Sequence, residues 1–79
     1  MKVHIEHTDT FGGEANYCWV HREDLELPDT ANDRAIVRAC KKAIGMTGVK
    51  CNREDWQDII CLRPRGVCQV IFITFGDEG

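Results

Sequence analysis

The 79-residue sequence predicts a single α+β domain: a largely antiparallel sheet with one helix packed on one face, in the order ββαβββ. Three observations lead there. A segment with every second residue apolar opens the chain, and a strand-length run that is apolar on both faces closes it. One central stretch repeats its apolar residues at helical spacing, and glycine and proline punctuate what lies between. No repeat, low-complexity tract or linker divides residues 1–79, so one small domain is expected. A chain of this length hides only about 60% of its unfolded surface, which leaves one thin core and no room for a deep cleft.

The first segment, "KVHIEHT", places Val3 and Ile5 on one side and Lys2, His4 and Glu6 on the other, the pattern of a half-buried strand. "DTFGG" follows with turn chemistry, since Asp9 can bond its own backbone and Gly12 or Gly13 can take positive φ. "EANYCWVHR" resumes an extended pattern rich in residues that suit a pleated surface. The stretch from His7 to Asp24 therefore reads as a hairpin, with Leu25 and Leu27 extending its second strand toward Pro28.

The helix is expected over about residues 31–44. Ala35, Ile36, Ala39, Cys40, Ala43 and Ile44 share one stripe, and Gly45 or Gly48 ends the run. Thr30 and Asp33 have the spacing of a capping box, with Asp29 a competing cap. The outer stripe of Arg34, Arg38, Lys41 and Lys42 reads as a solvated face whose lysines favour the helix dipole. Three strands are expected beyond it: a short "GVKCN", then "WQDIICLRP", then "VCQVIFITF", the last two joined by a turn at Arg63–Gly66.

One helix cannot cover both faces of a five-stranded sheet, yet residues 67–75 are apolar on both sides. Cys68, Val70 and Phe72 alternate there with Ile71, Ile73 and Phe75. If Cys18 and Val20 face the helix, then Tyr17, Trp19 and His21 line the uncovered face. That face is covered by loops, or it is a contact surface for a second copy or another protein.

Composition narrows the function. Ten Lys and Arg against thirteen Asp and Glu give a net charge of −3, which supplies no general attraction to nucleic acid and suits a basic partner better. No apolar run reaches the length of a signal peptide or a membrane span, so neither targeting nor a membrane partner is expected. The five cysteines, Cys18, Cys40, Cys51, Cys61 and Cys68, contain no CxxC pair and read as free thiols serving as small apolar core residues. Gly12-Gly13 lacks the Lys-Ser/Thr of a phosphate loop. His4, His7 and His21 are candidate ligands for a metal shared with Cys18 or Asp9, but alternation sends His4 and His7 to opposite faces. The same alternation separates Cys18 from His21, so no catalytic residue, metal or cofactor is expected. The acidic residues fall into two clusters. Glu23, Asp24, Glu26 and Asp29 follow the second strand, and Glu54, Asp55 and Asp58 surround Trp56. They are either solubilising loop charges or a patch that fits a positive surface, with Tyr17, Trp19 and Trp56 as aromatic anchors.

The blocks "HTDTFGGEANYCWV", "AIVRACKKAIGMTGVKC" and "PRGVCQVIFITF" span nearly the whole chain. In them the sequence resembles small proteins of tailed phages and prophages. Within that set it is similar to anti-CRISPR inhibitors of type I, particularly type I-C, Cascade complexes. The resemblance implies a non-enzymatic inhibitor in the cytoplasm of an infected bacterial host, one that binds Cas subunits stoichiometrically and keeps target DNA out. It carries no residue-level motif for that contact. Two other classes remain open. One is a nucleic-acid-binding phage regulator using Arg34, Arg38, Lys41, Lys42, Arg63 and Arg65. The other is an accessory protein that self-associates, for instance as a homodimer, through the uncovered sheet face.

Overall fold

The computed structural model describes residues 1–56 and 59–76. Its elements are β1 (Lys2–Phe11), β2 (Glu14–Glu26), α1 (Asp33–Ala43), β3 (Cys51–Trp56), β4 (Ile59–Pro64) and β5 (Gln69–Phe75), the expected order. They form one antiparallel sheet in the spatial order β2-β1-β5-β4-β3, with the helix on one side. The N-terminal hairpin and the C-terminal meander thus meet at the central pair β1–β5. The α1 connection carries the chain from one edge strand, β2, to the other, β3.

Each boundary has a local cause. Gly12 and Gly13, at φ 64° and 87°, form the two-residue loop with positive φ that matches the twist of the flanking strands. Asn32 caps α1 by accepting the N–H of Ala35 at 2.8 Å, so neither Thr30 nor Asp29 is the cap; the helix starts two residues later than expected and its first turn sets which polar side chain is in reach. At its other end Gly45 takes φ 76°. Its N–H bonds the Lys42 carbonyl, and the Met46 N–H reaches the Lys41 carbonyl at 2.7 Å. That pair of bonds is a Schellman motif, and the side chain of Met46 closes it by entering the core.

The core lies between α1 and the sheet. Val3 and Ile5 of β1, Ile60 and Leu62 of β4, and Ile71 and Ile73 of β5 meet Ile36 and Cys40 of the helix. The register aligns them: Ile5 opposes Ile73, which opposes Ile60, while Leu62 opposes Ile71.

Three expectations need correction. The third strand runs Cys51–Trp56 rather than 48–52, and "WQDIICLRP" is not one strand, because Trp56 ends β3 and Ile59 begins β4. The facing of β2 is reversed. Val3 opposes Leu25 and both point to the helix, so counting back along the strand puts Glu23, His21 and Trp19 on the helix side and Val20 on the uncovered side. Finally, only Cys40 and Cys61 are buried, whereas Cys18 and Cys68 are exposed. Burial pushes the Cys40 thiol up to about 11 and raises that of Cys61, so both are neutral packing groups.

Candidate functional site: the β1–β2 hairpin

The tip of the hairpin is held by two neighbouring side chains. Thr8, the one fully buried polar residue among those described, donates its hydroxyl to the Trp19 carbonyl at 2.9 Å and accepts the N–H of Tyr17 at 3.1 Å. Asp9 accepts the side-chain amide of Asn16 at 3.0 Å and the N–H groups of Cys18 and Trp19 at 2.9 and 3.5 Å. These donors, Asn16 foremost, hold the Asp9 carboxyl below the usual carboxylate range. Together the two residues fix a bulge where the register shifts between Thr8 and Thr10 and where Tyr17 takes φ 58°, a left-handed conformation that is costly for a bulky side chain.

The bulge decides where the aromatic groups go. Residues two apart in a regular strand share a face, but Tyr17 and Trp19 do not. The Tyr17 hydroxyl donates to Glu6 on the uncovered face at 3.2 Å, while Trp19 sets its edge against His7 on the helix side, the centroids 4.9 Å apart. Both stay accessible, at 51% and 42% exposure, and Phe11 at the tip is more so. Trp56 is 53% exposed, at the far edge of the sheet.

The acidic residues are distributed differently from a single patch. Strands β2 and β3 are the two outermost, four strand spacings apart, about 19 Å. The two clusters therefore lie at opposite edges of the sheet rather than side by side. Along β2, Asp24 pairs with the His4 Nδ1 at 2.7 Å and Glu23 with the His21 Nε2 at 2.8 Å. Glu26 and Asp29 flank the N-terminal ammonium at 3.2 and 2.9 Å. At the other edge Asp55 is engaged by Arg53 at 2.7 Å, while Glu54 stands on the uncovered face beside Cys61; Asp58 lies outside the described residues. Both rings nitrogens of His4 face acceptors, Asp24 and the Gly76 carbonyl, an arrangement that only the doubly protonated imidazolium satisfies. Asp24 first, then Gly76, raise the His4 pKa above 6.5.

The uncovered face is less apolar than the alternation of β5 suggests. Val70 and Cys61 are buried, and Arg63 reaches over that face to donate to the Gly13 carbonyl at the hairpin tip, at 2.7 Å. Beside this lid a shallow pocket of about 250 Å³ is lined by His4, Glu6, Arg22, Asp24, Phe72 and Thr74. Its charges pair internally, Arg22 with Glu6 at 3.0 Å and His4 with Asp24. No local pattern announces the Arg63 contact, because its partners are fifty residues apart. His7 and His21 are cross-strand neighbours with His4 on the opposite face, and among the described residues no three His, Cys, Asp or Glu side chains converge as metal ligands. Cys18 and His21 point to opposite faces of β2. No helix among the described residues is long and apolar enough to cross a membrane.

Comparison with protein-family models, with curated proteins and with solved structures finds no match to this chain.

Proposed function

We propose that the protein is a stoichiometric binding protein whose contact surface is the β1–β2 hairpin, and that it acts by occupying a basic surface of a larger partner. The observation that carries this reading is the outer edge of β2. Thirteen residues long, it presents the half-exposed Tyr17 and Trp19 on a braced bulge, beside Glu14, Glu23, Asp24 and Glu26. Rigid aromatic anchors within a charged rim are the composition of protein-binding hot spots, and acidic rim groups steer a basic partner into place. In the reading that the resemblance supplies, the partner is a type I Cascade complex of the bacterial host, and the consequence is exclusion of target DNA from its cationic groove.

Purified Cascade and labelled target DNA test this. Wild-type protein is expected to co-purify with Cascade and to abolish DNA binding at a fixed molar ratio. Replacing Tyr17 and Trp19 together by Ala is expected to raise the concentration needed by about tenfold or more, as loss of two aromatic anchors does elsewhere. An unchanged circular dichroism spectrum and melting curve would show that the fold is intact. Full potency in a folded double variant would remove the hairpin from the interface.

A further inference from the structure

The opposite edge of the sheet holds a second concavity that the proposed function does not use. A groove of about 570 Å³ runs between α1 and β3. Its apolar floor is Val37, Cys51 and Leu62, and its charged lining is Arg34, Arg38, Lys41, Arg53 and Asp33, of which Arg53 is already paired with Asp33 and Asp55. The helix passes alongside β3 in the opposite direction. Asp33 at its start pairs with Arg53 at 3.0 Å, and Lys41 at its end donates to the Val49 carbonyl at 2.7 Å. These two contacts tie the helix to the β3 side at both ends of the groove. Between them Arg34 and Arg38 form neither an ion pair nor a side-chain hydrogen bond with any described residue.

We propose that this groove is a docking site for an extended acidic peptide segment of a partner protein, which adds as a strand to the free edge of β3. Three observations select that occupant. First, β3 pairs on one side only, with β4, so its outer N–H and C=O groups form a template for another strand. Second, the cations have strand-like spacing. Arg34 and Arg38 are one helical turn apart, about 6 Å along the axis, and side chains on one face of an extended chain recur at about 6.6 Å. Alternate carboxylates can therefore meet successive arginines, while the intervening side chains point to the other face of the sheet. Third, among the described residues no aromatic ring lines the groove, which offers none of the stacking platforms that single-stranded nucleic acid uses, and the net charge of −3 opposes a polyanion over the rest of the surface. The site lies on the opposite sheet edge from the hairpin, so its fate is independent of the function proposed above.

The test uses isotope-labelled full-length protein and a synthetic peptide that alternates valine with glutamate. Amide signals of Cys51–Trp56 and Val37 should shift on titration, hydrogen exchange along β3 should slow, and the hairpin signals should stay in place. Changing Arg34→Glu and Arg38→Glu together should weaken binding by about tenfold or more without altering the fold, since both side chains lie on the exposed flank of the helix. A peptide with lysine in place of glutamate should not bind, and one with proline in place of alternate valines, lacking strand donors, should bind far less. The proposal is overturned if no groove signal shifts at saturating peptide, or if the proline peptide binds equally well. It is also overturned if an oligothymidylate competes better than the peptide, or if the groove signals instead follow protein concentration, which would seat a second copy there.

Discussion

Thr8 and Asp9 show how much of this molecule is decided by single side chains. The sequence marks Asp9 as a turn former, and the observed role is larger: its two oxygens gather donors from three residues of the facing strand and hold Tyr17 in a conformation that a bulky residue otherwise avoids. Nothing local in the sequence announces this, because the partners lie seven to ten positions away and the bulge is defined only once β1 and β2 are in register. His4 is the residue with a pH signature. Its pKa is raised in the folded protein, so the protonated pair with Asp24 stabilises the fold fully below pH 6.5, and that contribution is lost as pH rises through the folded value. Urea midpoints of wild type are therefore expected to fall as pH is raised from 6.5 through the neutral range. His4→Gln, which keeps a neutral donor beside Asp24, should lose much of this dependence. Equal slopes for the two proteins would assign the effect to other groups.

At the scale of elements, periodicity located the helix and four of the strands, because core-facing residues must recur with the period of the element that carries them, whereas β3 has no buried alternation and runs Cys51–Trp56 rather than over the expected 48–52. What it missed was parity. The hairpin strand β2 has no continuous apolar face, so its orientation is set by Leu25 opposite Val3 rather than by Cys18 and Val20 near its start, and the bulge at Tyr17 breaks the period in between. The helix start shows the same limit. Four capping side chains, Asp29, Thr30, Asn32 and Asp33, lie within five positions, and only the path of the chain into α1 selects Asn32. Its loss should be measurable. Asn32→Ala removes the acceptor of the Ala35 N–H, a change that costs about 1 kcal/mol in other helices, whereas Thr30→Ala should be silent. Urea denaturation of both variants checks this, and equal destabilisation would mean that the cap is shared.

The whole molecule is electrically polarised across its sheet. The β2 edge gathers Glu14, Glu23, Asp24, Glu26 and Asp29, while Arg34, Arg38, Lys41 and Arg53 gather between α1 and β3 at the other edge. Neither the separation of the two acidic clusters nor the basic groove is legible in sequence, since both follow from the crossover that sends β3 to the edge farthest from β2. This arrangement makes charge reversal a discriminating experiment. One variant converts Glu23, Asp24, Glu26 and Asp29 to Lys, and a second converts Glu54 and Asp55. Each set is exposed and its ion pairs are screened by solvent, so both variants should fold with modest losses of stability. A partner seated on the hairpin meets only the first set. If the partner is the Cascade complex proposed above, reversal of the first set turns attraction into repulsion across the contact, which should slow association and abolish the proposed inhibition of DNA binding, while the second variant, about 19 Å away across the sheet, should behave like wild type. The attraction is also screened by salt, so the association rate of wild type should fall as ionic strength rises and that of the first variant should not. Loss of inhibition in the second variant with full activity in the first would move the interface to the β3 edge.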